Sequence, residues 1–222
     1  MSRTTGLGAI LATLTAALAL LFTVGSTPAA DAHSAHGAPA TKTAFHDAMR
    51  ELWEEHIVWT RQFIVSAATE SGNLADIGPT TDRLLRNQTD IGNALKPFYG
   101  DAAGNQVTAL LRDHILKAAA LVIAAKAGDS AAVEAASTAW YQNADDIATA
   151  LNGLNPQHWP LAEMKGHMKD HLDLTLAEAV ARLQGRYADD IAAYDEVHVQ
   201  ILSMADMLSD GIIAQFPSQF AR

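Results

Sequence analysis

From Ala44 onward, apolar side chains recur at intervals of three and four residues, which is the spacing of one face of an α-helix. Two such stripes are Phe45, Met49, Leu52, His56, Trp59 and Phe63, and Val107, Leu111, His114, Ala118, Leu121 and Ala125. No segment alternates apolar and polar residues as a half-buried strand does. The chain therefore predicts an all-α protein.

Helix-breaking residues divide the chain into segments of about 20 to 30 residues. The breaks fall at 71–79, 97–104, 128–129, 154–160 and near Gly185. Short turns between helices make neighbours antiparallel. We expect one domain over 44–222, a six-helix bundle of three antiparallel hairpins. The hairpins are expected at approximately 44–97, 101–153 and 158–216.

An acid followed by His and then Ile or Leu occurs once in each expected hairpin. The copies are Glu55-His56-Ile57, Asp113-His114-Ile115 and Asp170-His171-Leu172. Successive histidines are 58 and 57 positions apart, which indicates a weak internal repeat of about 57 residues. His56 and His114 lie within apolar stripes, so we expect them to be buried and hydrogen-bonded. Each preceding acid lies about 100° round the helix, where we expect it to reach the histidine of a neighbouring hairpin and lock the two together.

The third hairpin carries a denser group of potential metal ligands. Glu163, His167 and His171 recur every four residues along one helix face, and Asp170 lies beside them. His198 lies at the level of His171 if the hairpin turns near Gly185. Two or three imidazoles with a carboxylate suit a divalent transition metal, namely zinc, copper or non-haem iron. The alternative is a polar seam without metal.

Composition and missing motifs exclude several classes of protein. The formal net charge of −10 argues against nucleic-acid binding, which depends on clustered Lys and Arg. The absence of cysteine excludes disulfides, thiolate metal sites and thiol catalysis. A ferritin-like centre needs two Glu-x-x-His elements, and the chain offers only Asp195-x-x-His198. With no nucleotide-binding loop and no complete catalytic motif, the sequence favours a non-enzymatic protein.

The N-terminal region has the pattern of a secretory signal peptide over residues 1–32. Arg3 precedes an uncharged, largely apolar run, and Ala30 and Ala32 flank a predicted cleavage site. The alternative is an uncleaved anchor. No later stretch is long and apolar enough to span a bilayer, so we expect a secreted protein. Residues 33–43 predict a flexible leader, in which His33 and His36 are either incidental or copper ligands at the new N-terminus.

Three segments together resemble a family of exported, all-helical bacterial proteins. They are 52–56 (Leu-Trp-Glu-Glu-His), 87–97 (Asn-Gln-Thr-Asp-Ile-Gly-Asn-Ala-Leu-Lys-Pro) and 170–175 (Asp-His-Leu-Asp-Leu-Thr). The resemblance implies export and a helical fold, and it carries no catalytic residues over. We expect a protein that holds a divalent metal or small ligand between its hairpins. The alternative is a structural or protein-interaction module of the cell envelope whose histidines only make core hydrogen bonds.

Overall fold

Helical segments account for nearly all of the chain that a computed structural model describes, residues 41–69 and 73–220. Within these residues there are five α-helices, one short 3₁₀ helix and no β-strand. The helices are α1 (Lys42–Ala67), α2 (Ile77–Ala127), α3 (Ser130–Leu154), α4 (Leu161–Leu183) and α5 (Tyr187–Gln215), followed by the 3₁₀ helix Pro217–Gln219. The all-α class is thus confirmed. The predicted signal peptide, His33 and His36 lie outside the described residues.

Local chemistry sets several helix ends. The side chain of Thr41 accepts a hydrogen bond from Ala44 N, so α1 begins at Lys42, two residues before the predicted domain boundary. Asp129 caps α3 in the same way through Ala132 N. Gly128, immediately before this cap, has φ 69° and ends α2 in the left-handed conformation that favours glycine.

The predicted count of six helices is not confirmed. The described part of the chain has five, because helical residues continue without a loop from 77 to 127, and both arms of this segment are counted as α2. Gly100 interrupts it with φ 81° and ψ 169°, a conformation that is essentially restricted to glycine. In a straight helix Gly92 and Gly104 would be about 18 Å apart, yet a Cβ atom on Gly92 would lie 2.6 Å from Gly104 O. Arg112 Nη1 also donates to Leu85 O at 3.0 Å. The chain therefore reverses at Gly100, and the arms 77–99 and 101–127 run antiparallel.

The helices form a closed ring around a shared core. Each helix packs against the next one along the chain, and α1 closes the ring by packing against α5. The larger core cluster draws on all five helices and includes fully buried Trp159, Met164 and Ile201. A smaller cluster around Phe63, Leu84 and Ile115 joins α1, α2 and α4. None of the described helices combines the length and the apolar character needed to cross a membrane.

A buried histidine trio as the candidate functional site

Three histidines that are 57 or 58 positions apart in the sequence meet in the core. His56 comes from α1, His114 from the second arm of α2 and His171 from α4. The ring centroid of His171 lies 5.6 Å from that of His56 and 6.4 Å from that of His114. The residues are 2%, 3% and 4% exposed, respectively. We call this cluster the histidine trio. The apolar stripes predict the burial of His56 and His114, but not their meeting with His171.

A hydrogen bond fixes the tautomer of His56. Its Nδ1 lies 3.2 Å from Gln88 Oε1. The amide nitrogen of Gln88 donates to Leu84 O and to Asn87 Oδ1, so the amide oxygen is the atom that faces the ring. An amide oxygen only accepts, and Nδ1 must therefore donate. The neutral ring then carries its lone pair on Nε2.

His114 has the same tautomer, supported by contacts on both ring nitrogens. Nδ1 lies 2.9 Å from Asn143 Oδ1, while the amide nitrogen of Asn143 donates to Leu110 O at 3.2 Å. On the other side of the ring, Trp140 Nε1 donates to Nε2 across 3.2 Å. Both imidazole nitrogens are thus satisfied inside the protein. His114 is held as a neutral ring in one orientation.

His171 is the least well satisfied member of the trio. The amide nitrogen of Gln200 donates to His167 O at 3.0 Å, which leaves the amide oxygen to interact with the His171 ring. This interaction acts to raise the pKa of His171. The two groups nevertheless form no hydrogen bond of ordinary geometry, and both His171 Nδ1 and Gln200 Oε1 lack a partner among the described residues.

One hydrogen bond recurs in all three helix pairs. An amide side chain of the returning helix donates to the backbone carbonyl of the residue four positions before the trio histidine. The pairs are Asn87 with Leu52 (3.0 Å), Asn143 with Leu110 (3.2 Å), and Gln200 with His167 (3.0 Å). Successive amides are 56 and 57 positions apart in the sequence, almost the same spacing as the histidines. The sequence therefore contains this signal, but the histidine repeat alone does not point to these amides.

Burial keeps the trio neutral. Desolvation is the largest cause in each case, because the core cannot solvate an imidazolium ion. It lowers the pKa of His114 to about 3 and that of His171 to about 4, and it lowers the pKa of His56 well below its ordinary value. A proton on His171 would repel a second positive charge nearby, and this interaction lowers the pKa of His56 and of His114 further.

The acids of the repeated motif do not reach a neighbouring histidine, so that prediction is wrong. Glu55 Oε2 pairs with Arg83 Nη2 at 2.7 Å and also lies 3.5 Å from the amide nitrogen of Asn87. Asp113 pairs with Lys117 one turn along its own helix. His56 and His114 instead bond to amides on the returning helices, because these amides face the same buried layer.

The five predicted metal ligands of the third hairpin are not brought together. His171 turns into the trio, whereas Glu163 and Asp170 are exposed and His167 is half-buried. His198 Nε2 lies 3.1 Å from Glu54 Oε1 on α1. In the part of the chain that the structure describes, no three His, Asp or Glu side chains are arranged to hold a metal ion. Spacing of four places Glu163, His167 and His171 along one side of α4, but that side extends from solvent at Glu163 to the core at His171.

A cavity of about 40 Å³ lies one helical turn beyond the trio. Thr60, Ala118 and Thr175 each follow a trio histidine by four residues, and all three line the cavity. Trp140 connects the two features, because it lines the cavity and donates to His114. The trio and the cavity are therefore adjacent between α1, α2 and α4, although no trio histidine itself lines the cavity.

A buried ion network joins the third hairpin to α1. Arg61 Nη1 donates to Glu178 Oε1 at 2.7 Å and to Asp190 Oδ1 at 2.8 Å, and Arg182 Nη1 reaches Asp190 Oδ2 at 3.2 Å. Asp190 is fully buried. Burial raises the pKa of Glu178 to about 7, although Arg61 opposes this shift. Because both carboxylates are paired with arginine, the network links α1, α4 and α5.

A serine, a histidine and an aspartate also align near the ends of α1 and α5. Ser209 Oγ lies 2.7 Å from His46 Nδ1, and Asp210 Oδ1 lies 3.1 Å from His46 Nε2. Ser209 is fully buried inside α5, where its hydroxyl also contacts the carbonyls of Ala205 and Asp206. A catalytic serine must reach its substrate, so this arrangement does not support hydrolysis. It ties α1 to α5.

Comparison with known proteins gives no match to this chain among protein-family models, curated proteins or solved structures. The resemblance to exported helical proteins stays a prediction.

Proposed function

We propose that this is a non-enzymatic exported protein of three equivalent helical hairpins that binds a small ligand in its core, at the trio and its cavity. The observation that carries the proposal is the meeting of three repeated histidines directly beside a cavity. Each hairpin supplies one histidine from its first helix and one amide from its returning helix, and the amide bonds to the backbone of the first helix. A repeat arranged in this way gives one shared centre rather than three separate sites.

Unsatisfied polar atoms in this region support a binding role. Trp53 Nε1, His171 Nδ1 and Thr175 Oγ1 are buried without a hydrogen-bond partner among the described residues. Trp53 packs edge-on against the His56 ring, and Thr175 lies one turn beyond His171. Buried polar atoms without partners cost stability, which natural cores otherwise avoid. Their concentration here indicates a region that is maintained for a purpose other than stability.

The indole N–H of Trp140 gives a direct test, because it bonds to His114 and borders the cavity. Metal analysis and native mass spectrometry of the protein processed by its own signal would identify a retained ligand. Small molecules and divalent metals would then be titrated while the Trp140 indole resonance is followed by NMR. We expect a saturable shift for at least one class of compound. His171→Gln should weaken it, whereas His167→Gln, one turn earlier on α4, should not.

A structural or protein-interaction role is the second candidate, and the complete hydrogen bonding of His114 favours it. If no ligand is retained and no tested class shifts the Trp140 resonance, the trio is a packing device and the binding proposal fails. A metal bound equally well by wild type and His171→Gln would place the site elsewhere and would also overturn it.

A further inference from the structure

We infer that the ligand of this core is uncharged and apolar: a small hydrocarbon-like molecule or the alkyl end of an amphiphile. This inference rests on the proposed function and names the chemistry of its ligand. It derives from the apolar wall of the cavity, from its volume and from the absence of exposed polar atoms on its surface.

The cavity wall is entirely apolar. Phe63, Ile64, Ile115, Val122 and Ala179 supply much of it, and no polar atom is exposed on its surface. Two threonines border the cavity. Thr60 donates its hydroxyl to His56 O at 2.8 Å. The hydroxyl of Thr175 is buried, has no partner among the described residues and is not exposed on the cavity surface.

A charged ligand finds no free opposite charge here, and no polar atom is exposed on the cavity surface. The nearest acid along α4, Glu178, is bound to Arg61, and the ordinary state of the trio is neutral. Moving a charge into such a space without a partner carries a large desolvation cost.

The volume also favours an apolar occupant over water. A cavity of about 40 Å³ exceeds the roughly 10–15 Å³ that one water requires. Water in a cavity also needs two to four polar partners, however, and this wall presents none. Apolar cavities stay dry, and one of roughly 150 Å³ takes up benzene or xenon. The cavity here has about a quarter of that volume, so any occupant larger than a single apolar atom must extend out through its open edge.

The edge of the cavity gives such a molecule a route. Ala125 on α2 and Leu183 on α4 line the cavity but keep part of their surface exposed. An apolar atom such as xenon can enter there completely, whereas a larger apolar molecule enters only in part. An alkyl chain can also enter by its end while its polar head stays in water, so both sources share the same binding chemistry.

The chain offers a matched pair of variants for the test. Ala119 lines the cavity, whereas Ala120, the next residue of α2, is exposed to solvent. Ala119→Leu fills the space with a branched side chain, and Ala120→Leu adds the same atoms outside it. Circular dichroism and the melting temperature in buffer establish that both variants are folded. Val122→Phe is a second cavity-filling variant in case Ala119→Leu does not fold.

The full mature protein is titrated with benzene, its polar isostere pyrimidine, xenon and submicellar octyl glucoside. Binding is measured by calorimetry for the soluble compounds and by xenon NMR. Benzene and xenon should bind to wild type and to Ala120→Leu with similar affinity. They should bind to Ala119→Leu at least tenfold more weakly. Pyrimidine should bind to wild type at least tenfold more weakly than benzene does. Binding of octyl glucoside with the same loss in Ala119→Leu identifies an alkyl chain as the ligand; failure of octyl glucoside alone identifies a small free molecule.

Other outcomes overturn the inference. Equal binding of benzene and pyrimidine, or benzene binding that Ala119→Leu leaves unchanged, would contradict an apolar site in this cavity. If a metal or a polar compound shifts the Trp140 resonance while the apolar probes do not bind, the proposed binding function stands, but the inference that its ligand is apolar is wrong. If nothing binds, both fail together.

Discussion

Nδ1 of His114 lies 2.9 Å from Oδ1 of Asn143, and the nitrogen of the same amide reaches the carbonyl of Leu110, one turn before the histidine. A single side chain thus satisfies a ring nitrogen and ties α3 to the backbone of α2. The equivalent amides Asn87 and Gln200 make the backbone bond in the other two helix pairs. The histidines and their amides form one layer across the core.

Asn143→Leu should destabilise the protein by about 1–3 kcal/mol, since it leaves buried His114 Nδ1 and Leu110 O without partners. Urea unfolding at pH 7.5 measures the change. Gln142→Leu is the matched control, because Gln142 is exposed and its amide bonds only to Asp146 on the same helix. Similar losses for the two variants would contradict the role assigned to the Asn143 amide.

Stability should fall on acidification below pH 6.5. Unfolded histidines take up protons near that pH, whereas folded His171 and His114 do so only near pH 4 and 3. The folded state therefore binds fewer protons in this window, and unfolding becomes easier as the pH decreases. Each buried histidine contributes up to about 1.4 kcal/mol per pH unit. Urea unfolding at pH 4.5 to 8 measures the slope.

Glu178 acts in the opposite direction over part of this range. Its pKa is about 7 in the folded state, so between pH 7 and 4.5 the folded protein holds a proton that the unfolded chain lacks. The proton held by Glu178 offsets the effect of one histidine. Because the trio has three histidines, the free energy of unfolding still falls as the pH decreases. His171→Gln should reduce the slope by about one proton, and His198→Gln, at a half-exposed position, should not. Equal slopes for wild type and His171→Gln would contradict the assignment.

Asp190→Asn should cost about 3–5 kcal/mol, the usual range for breaking a buried ion pair. Asp190 is fully buried and serves both Arg61 and Arg182. Asp189→Asn is the control, because Asp189 is 62% exposed and pairs only with exposed Arg186 on the helix surface. Its effect should stay below about 1 kcal/mol. Chemical denaturation measures both, and a loss below 1 kcal/mol for Asp190→Asn would show that the network is dispensable.

Gly92→Ala should destabilise the protein by about 1–3 kcal/mol through overpacking. The added methyl group would clash with Thr108 Oγ1 and would lie 2.6 Å from the rigid Gly104 O. Gly166→Ala in α4 meets nothing within 4 Å and should gain roughly 0.5–1 kcal/mol from helix propensity. The melting temperatures should move in opposite directions. A stable Gly92→Ala protein would mean that the two arms of α2 are not held at this contact.

Helical periodicity predicts correctly what each segment does by itself. The stripes place His56 and His114 on buried faces, and the turn at Gly128 ends a helix. Periodicity along one helix does not say which helices meet, so it could not predict that His171 would join His56 rather than His167 and His198. Periodicity indicates a break over 97–104, but it does not show that one glycine, Gly100, reverses the chain there without a loop.

The closed ring has a consequence for chain topology. Phe45 near the start of α1 and Phe220 after α5 have ring centroids 5.3 Å apart, so the first and last described segments are neighbours in space. A short linker could join residue 220 to residue 41, with new ends opened at the exposed turn between Gly128 and Asp129. Such a circular permutant would retain every helix contact. The packing thus depends on which helices are neighbours and not on which one is synthesised first.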